Sequence, residues 1–270
     1  MNETILLVGC GKMGGAMLHG WLERDVNPAG IHVVDPADES RSLAGELGVC
    51  YADSADALRP DVNPRVVVFA VKPQITDSVV PAYSDFTGPD TVFLSIAAGR
   101  TIAYFEERLG DQAAIIRTMP NTPAAIGRGI SVACANQHVS AEARAICDVL
   151  LGAVGEVAWI DDEGLLDAVT ATSGSGPAYV FLLIECLAEA GVEAGLPTDL
   201  AMQLAQATVA GAGELARQSE DSASVLRQNV TSPGGTTAAA LEILMAGDGL
   251  RQLLTRAVAA ATQRSRELAG

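Results

Sequence analysis

The sequence is poor in positive charge and contains only two lysines, Lys12 and Lys72. Its 17 basic residues stand against 33 acidic ones, so the formal net charge is -16. A field of this sign repels nucleic acid and anionic membrane surfaces, and we therefore expect neither as a partner. Any phosphate-binding site has to be local.

Cysteine pairs, histidine clusters and long apolar runs are also missing. The five cysteines are scattered without a CxxC pair, and the three histidines form no metal-ligand pattern. These features predict reduced thiols and no metal site. The N-terminal segment lacks a basic region with a cleavage site, and runs such as VVVFAV and YVFLLI are too short to span a membrane. With 49% hydrophobic residues, the chain is expected to be a globular cytoplasmic protein.

The first half of the chain alternates short β-branched runs with helical stretches. Predicted strands cover residues 5–8, 31–34, 66–71, 92–96, 115–118, 130–133 and 157–160. This alternation is typical of an α/β domain with a doubly wound, mostly parallel sheet that is covered by helices on both faces.

The second half changes character after Asp161 and Asp162, where long Ala- and Leu-rich stretches follow. Predicted helices cover residues 164–172, 177–194, 198–218, 238–245 and 250–268. Several are apolar on more than one face, as in VFLLIECLAEAGVEAG, which predicts burial against a second subunit. We expect two domains, residues 1–161 and an all-helical part over residues 162–270.

A glycine cluster, GCGKMG, follows the first predicted strand and opens the first predicted helix. Gly9, Gly11 and Gly14 form a G-x-G-x-x-G pattern, with Lys12 and Met13 between them as further candidate cofactor residues. Glycine here permits a tight turn and lets the backbone approach a pyrophosphate at the helix N-terminus. A Gly-rich turn without a ligand is the alternative, but the flanking strand and helix favour a Rossmann dinucleotide-binding domain.

The end of the second predicted strand bears on the choice of coenzyme. Asp35 stands where a carboxylate accepts hydrogen bonds from the adenosine ribose, although an Asp before Pro36 is also an ordinary turn residue. A carboxylate there disfavours a 2′-phosphate, whereas Arg41 in the next element would attract one. NADH and NADPH both remain open.

Further candidate cofactor residues follow other strands, because ligands of open α/β sheets bind beyond the carboxyl ends of the strands. The set comprises Ser54, Ala70, Val71, Lys72, Pro73, Ala97 and Asn121. For Lys72 the alternative is a solvated surface charge, and for Asn121 it is a simple turn between prolines.

Five motifs occur in order along the chain, namely GCGKMG, AVKPQ, RTMPNTP, TSGSGPAYVF and TSPGGTT. With them the chain resembles the pyrroline-5-carboxylate reductases nearly end to end. The resemblance implies a Rossmann domain, an all-helical dimerisation domain, dimers that assemble further into pentamers of dimers, and reduction of 1-pyrroline-5-carboxylate to proline with NADPH or NADH. The chain departs from the family pattern at Asp35-Pro36, where relatives that use NADPH carry small polar or basic residues, and at Ser54, where relatives often carry Asn.

The last motif, TSPGGTT, offers a place for the substrate carboxylate. Two glycines, a proline and four hydroxyls precede a predicted helix, whose unpaired N–H groups can hold an anion. The resemblance implies that Ser232, Gly235, Thr236 and Thr237 bind this carboxylate and that the Thr237 hydroxyl lies near the ring nitrogen. The alternative is that these hydroxyls only cap the helix. Because a protonated C=N bond needs only a modest donor, we expect Thr237 or a water to hold the proton on nitrogen.

Other functions also fit parts of the sequence. A β-hydroxyacid dehydrogenase shares the two-domain plan, but Val180 and Ile184 occupy the positions of its Lys and Asn. Another imine reductase of similar architecture remains an alternative. A dinucleotide-binding regulatory protein without turnover fits the glycine motif, but TSPGGTT argues against it.

Overall fold

The computed structural model describes residues 3–269, which form two compact units. The first unit comprises Met1–Gly174 and Thr262–Gly270, and the second comprises Ser175–Ala261. This division differs from the expected boundary at residue 161, because the stretch after it and the end of the last helix pack within the first unit. The Ser265 hydroxyl, for example, donates to Asp167 Oδ1 at 2.6 Å.

An eight-stranded sheet forms the centre of the described part of the first unit. Its strands are β1 Ile5–Val8, β2 Ile31–Val34, β3 Cys50–Ala52, β4 Val66–Phe69, β5 Val92–Ser95, β6 Ala114–Met119, β7 Gly129–Ala135 and β8 Gly155–Trp159. They lie in the order β3-β2-β1-β4-β5-β6-β7-β8. All neighbouring pairs are parallel except β6 and β7, so the predicted doubly wound, mostly parallel sheet is confirmed.

Two features of the sheet depart from the sequence prediction. β6 and β7 are antiparallel because the connection between them, residues 120–128, is shorter than the crossover of about a dozen residues that parallel neighbours need. The sequence does not predict β3, since Cys50, Tyr51 and Ala52 form no β-branched run.

Helices follow most of the strands and make up the second unit. They are α1 Lys12–Glu23, α2 Asp38–Leu47, α3 Thr76–Val79, α4 Ile102–Leu109, α5 Ala141–Gly152, α6 Leu166–Val169, α7 Gly176–Glu193, α8 Thr198–Gln218, α9 Ala223–Asn229, α10 Thr236–Leu244 and α11 Leu250–Ala269. The predicted helix over residues 164–172 is in fact the single turn α6 and a π-helical segment, Thr170–Gly174.

The core of the first unit lies on both faces of the sheet. Ile5 and Leu7 of β1 belong to one buried cluster, and Leu6 and Val8 belong to the other. Successive side chains of a strand point to opposite faces, so this division shows that the sheet is covered on both sides. The buried Trp21 of α1 donates its indole N–H to the carbonyl oxygen of Leu150 in α5 at 2.9 Å.

The second unit is helical, as predicted, and leaves much apolar surface uncovered. α7 and α8 approach closely at Gly191, where a Cβ atom would lie 3.3 Å from the Cβ of Ala201. On α7 the exposed large apolar residues are Val180, Phe181, Leu182, Leu183, Leu187 and Val192. An apolar surface of this extent is typical of a helix that packs against another protein chain.

One helical stretch in the described residues, Glu163–Glu193, is long and apolar enough to cross a membrane by length and composition. The sequence analysis expected no apolar run long enough to span a membrane. This stretch is longer than expected because alanines and glycines extend the run YVFLLI with few charges between them. The finding is weak evidence for a span, since a helix that packs against another subunit has the same composition.

Candidate active site

A cavity of about 640 Å³ opens at the carboxyl ends of the neighbouring strands β3, β2, β1 and β4. Seven of the predicted cofactor residues line it, namely Gly9, Gly11, Asp35, Ser54, Ala70, Val71 and Lys72. The lining also includes residues that the sequence does not single out, among them Asp53, Asp56, Ile75 and Tyr83. The structure therefore brings the loops after β1, β2, β3 and β4 to one site, as the carboxyl-end rule predicts.

The three glycines of GCGKMG have different surroundings. Gly9 has a φ of +92°, and a Cβ atom there would lie 2.8 Å from the carbonyl oxygen of Ala70. A Cβ atom at Gly14 would overlap the carbonyl oxygen of Gly9. At Gly11 a Cβ atom meets nothing within 4 Å, and no side chain of the described residues caps the N-terminus of α1. The start of α1 thus stays open on the cavity side, and this cradle fits a pyrophosphate.

The carboxylate of Asp35 is fixed by the main chain on both of its oxygens. Oδ2 accepts from the backbone N–H of Cys10 at 2.7 Å, and Oδ1 accepts from the backbone N–H of Ala37 at 2.8 Å. Asp35 is therefore a turn residue and a cavity residue at once, so the two alternatives from the sequence do not exclude each other. Burial, together with the Asp35 charge, raises the pKa of the Cys10 thiol to about 11, which keeps that thiol neutral.

Arg41 lies on the β2–β3 side of the cavity but is already engaged. Its Nη2 atom is 3.8 Å from Asp53 Oδ2, and its guanidinium lies 5.2 Å from the centre of the Tyr51 ring. Ser54 donates its hydroxyl to Asp53 Oδ1 at 3.0 Å. Polar contacts thus connect Arg41, Asp53 and Ser54, and the last two of these residues line the cavity.

Other predicted cofactor residues lie near the cavity without being among the described residues that line it. Lys12 is exposed and Met13 half-buried, both in the first turn of α1. Ala97 is buried, and its N–H bonds to the Ser95 hydroxyl at 3.2 Å. The carbonyl oxygen of Pro73 accepts from Arg100 Nη2 at 2.8 Å, so Arg100 ties the turn after β4 to the loop after β5.

Asn121 is held by protein partners at both ends of its amide. Its Nδ2 atom donates to the carbonyl oxygen of Ser173 at 3.2 Å, and its Oδ1 atom accepts from the N–H of Ile130 at 2.9 Å. In the same motif, the buried Arg117 pairs with Glu163 Oε1 at 2.7 Å. RTMPNTP therefore joins strand ends to the π-helical region, and Asn121 is more than a simple turn residue.

The motif TSPGGTT forms a tight turn followed directly by α10. The N–H of Gly235 bonds to the carbonyl oxygen of Ser232 at 3.0 Å, with Pro233 and Gly234 in the middle and a φ of +69° at Gly234. Proline followed by a glycine of positive φ is typical of a type II turn. Gly235 is the N-cap residue, and no side chain in the described chain caps α10. Helix capping therefore does not account for the hydroxyls of Thr236 and Thr237.

A Rossmann sheet with an open glycine loop at its carboxyl-end cavity, followed by a helical unit, is the arrangement of a dinucleotide-binding protein. Two family models match the chain. Residues 4–99 match the model described as NADP oxidoreductase coenzyme F420-dependent, and residues 163–268 match the model described as pyrroline-5-carboxylate reductase dimerisation.

Relatives and solved structures agree over the whole length of the chain. The pyrroline-5-carboxylate reductase of Pseudomonas aeruginosa is 41% identical over 269 residues, which are 99% of this chain and 97% of the relative. A structure of this reductase from Coxiella burnetii has 34% identity and a TM-score of 0.94, with 100% of both chains covered. Plasmodium falciparum pyrroline carboxylate reductase with NADP bound has 30% identity and a TM-score of 0.84, covering 100% of this chain and 99% of the other. The chain belongs to the pyrroline-5-carboxylate reductase family.

This membership confirms the resemblance that the five motifs indicate. The sequence prediction misses Asp53 and Asp56 in the cavity because it misses β3, after which they come. The sequence did offer a signal for these two residues, because Asp53 and Asp56 lie on either side of Ser54, which is itself a candidate cofactor residue. The roles of individual site residues stay predictions.

Proposed function

We propose that this protein reduces the C=N bond of 1-pyrroline-5-carboxylate to L-proline with NADH or NADPH. The observation that carries the proposal is a pair of helix N-termini with glycine as the N-cap residue in one chain of this family, that of α1 behind Gly11 and that of α10 behind Gly235, where no described side chain covers the free N–H groups. Such ends bind anions through their free N–H groups and the helix dipole. The first suits a pyrophosphate, and the second suits a carboxylate.

The residues around the cavity of the first unit would hold the coenzyme. Gly9, Gly11 and Gly14, with the backbone of Lys12 and Met13, would surround the pyrophosphate. The adenosine side would be formed by Asp35 and Ser54. The loops beyond β4 and β5 would face the rest of the coenzyme through Ala70, Val71, Lys72, Pro73 and Ala97. Because its amide bonds to Ser173 and Ile130, Asn121 would shape the loops that it holds, and its second N–H stays available to the coenzyme.

The turn before α10 would hold the substrate in the second unit. Ser232, Gly235, Thr236 and Thr237 would contact the carboxylate, through hydroxyls and through the N–H groups at the start of α10. A carboxylate bound there leaves the rest of a small ring within reach of the half-buried Thr237 hydroxyl. That hydroxyl would bond to the ring nitrogen.

A reduced nicotinamide coenzyme supplies the hydride when it is bound, and the carbon of the C=N bond receives it. The nitrogen keeps one proton, which the Thr237 hydroxyl or a water beside it holds in place. A protonated C=N bond is already electrophilic, so no strong acid is needed, unlike the reduction of a ketone to an alkoxide. The protein's contribution is therefore mainly positioning of the two reactants.

Self-association belongs to the same proposal. The exposed apolar residues of α7 lie within the segment that matches the dimerisation model. Their burial in a dimer would remove a large apolar surface from water. A pentamer of dimers and a cytoplasmic location follow from the family resemblance and complete the proposal.

The test is the absorbance loss of NADH and of NADPH in the presence of 1-pyrroline-5-carboxylate. We expect oxidation of coenzyme with proline as the product, and no reduction of NAD⁺ or NADP⁺ in the presence of β-hydroxyacids. Equal rates with cyclic imines that lack a carboxylate would favour another imine reductase. No oxidation by a folded protein that binds coenzyme would favour a regulatory protein instead.

A further inference from the structure

We propose that the carboxylates at the β2–β3 side of the cavity make this protein select NADH over NADPH. The inference rests on the proposed function, because it concerns the coenzyme of that reaction. The two coenzymes differ by a single phosphate on the 2′-oxygen of the adenosine ribose. That group adds a charge of about -1.5 to -2 at neutral pH.

Negative charge is concentrated on one side of the cavity. Asp35 follows β2, and Asp53 and Asp56 follow β3, in a sheet where the order is β3-β2-β1-β4. Among the described lining residues the cation is Lys72, which follows β4 on the other side of β1. In this type of fold the adenosine ribose lies at the end of the second strand. A 2′-phosphate would therefore enter the acidic side.

Asp35 cannot turn away from a coenzyme without breaking main-chain hydrogen bonds. Both of its oxygens accept backbone N–H groups, from Cys10 in the glycine loop and from Ala37. Each carboxylate oxygen can accept a second hydrogen bond, so ribose hydroxyls still find acceptors. A phosphate has no such hydrogens to offer at neutral pH and meets a fixed like charge.

Arg41 does not reverse the repulsion between these carboxylates and a 2′-phosphate. Its guanidinium lies 3.8 Å from Asp53 Oδ2, and both side chains are more than half exposed, at 59% and 55%. An exposed pair is weak, so a phosphate could compete for Arg41. If the phosphate paired with Arg41, the Asp53 carboxylate would lose its cation and would repel the phosphate beside it. The net charge of Asp35, Asp53 and Arg41 stays negative in either arrangement.

Calorimetric titration with coenzyme fragments tests the selection without turnover. The probes are ADP-ribose and 2′-phospho-ADP-ribose, which contain the discriminating group but no nicotinamide. We expect ADP-ribose to bind roughly 10- to 100-fold more tightly than 2′-phospho-ADP-ribose, and NADH to exceed NADPH in affinity by the same factor. Equal affinity, tighter binding of the phosphorylated fragment, or no binding of either would overturn the proposal. Failure to reduce 1-pyrroline-5-carboxylate would overturn the proposed function and leave this affinity ratio unaffected.

Charge-removing variants identify the carboxylates responsible. Asp35→Asn and Asp53→Asn should each narrow the affinity ratio, by roughly 3- to 10-fold, and the second should also free Arg41. The matched control is Asp111→Asn, which removes the same charge from an exposed turn before β6. An equal effect of Asp111→Asn would attribute the selection to net charge and overturn the proposal. Since the Asp53 side chain is exposed, its variant tests the claim even if Asp35→Asn does not fold.

Discussion

The main chain at Gly14 lies so close to the carbonyl oxygen of Gly9 that a Cβ atom at Gly14 would overlap it. At Gly11, between these two residues, the same atom would stand in open space beside the cavity. Gly14 therefore allows α1 to pack against the end of β1. Gly11 keeps the space in front of the helix N-terminus free.

Substitutions at these two glycines should accordingly have opposite effects. Gly11→Val is expected to fold with an unchanged melting temperature and to lose coenzyme binding, because its side chain occupies the space for the pyrophosphate. Gly14→Ala should destabilise the fold by about 1–3 kcal/mol, as overpacking does. Thermal denaturation and calorimetric titration with coenzyme measure both effects. A folded Gly11→Val variant with full affinity would contradict the site.

Substitution of Thr237 separates a role of its hydroxyl in turnover from a role in the stability of the fold. If its hydroxyl bonds to the ring nitrogen, Thr237→Ala should lower kcat by about 10- to 1000-fold and leave coenzyme binding intact. If it only stabilised the helix end, the same change would cost about 1 kcal/mol of unfolding free energy and leave turnover intact. The measurements are kcat and melting temperature of the same variant.

Two further variants serve as controls for Thr237. Thr237→Ser keeps the hydroxyl and should retain most of the activity. Thr231→Ala removes a hydroxyl of the same motif that bonds to the carbonyl oxygen of Arg227 at 2.7 Å, and it should leave kcat nearly unchanged. Wild-type turnover in Thr237→Ala would remove this residue from the mechanism.

Arg100 is expected to position the turn after β4 for coenzyme binding. It donates through Nε and Nη2 to the carbonyl oxygen of Pro73, at 3.3 and 2.8 Å. Arg100→Lys keeps the charge but loses this two-pronged contact, so KM for the coenzyme should rise by roughly 3- to 10-fold with little change in kcat.

The control for Arg100 is Arg108→Lys. Arg108 also lies over the Tyr104 ring and pairs with Asp77 at 2.7 Å, but within the described part of the chain it makes no hydrogen bond to Pro73. Its variant should lose a similar amount of stability and leave KM unchanged. Equal effects of both substitutions on KM would assign Arg100 a structural role only.

The exposed apolar side chains of α7 should mediate self-association. Phe181 is 59% exposed in the single chain, and a charge placed there would oppose burial against a second copy. Phe181→Glu is therefore expected to shift the protein to monomers in sedimentation velocity. Val149→Glu places the same charge on α5, outside the segment that matches the dimerisation model, and should leave the assembly intact. An active wild-type monomer at dilute concentration would refute this prediction.

The sequence predicts most of the fold because its strands are buried on both faces. Continuous runs such as 66–69 and 92–95 mark such strands, and the bounds predicted for α8 match the structure. β3 escapes prediction, since a three-residue strand is too short to show a pattern. α9, with seven residues, escapes for the same reason.

The candidate site was predictable where one local motif defines it. The glycine loop and TSPGGTT each combine a turn with a helix start, as predicted, but α10 begins at Thr236 and not at residue 238, so Thr236 and Thr237 belong to its first turn. The double anchoring of Asp35 and the links made by Asn121 depend on partners that are distant in sequence, such as Cys10 and Ser173. No local pattern reports such pairings.

The most direct test of the central claim is transfer of deuterium into the product. The protein would be incubated with 1-pyrroline-5-carboxylate and with NADH or NADPH in which both hydrogens at the reactive carbon of the nicotinamide are deuterium. We predict proline with one deuterium on the ring carbon that formed the C=N bond, identified by mass spectrometry and NMR. Absence of proline, or proline without deuterium at that carbon, would contradict the account.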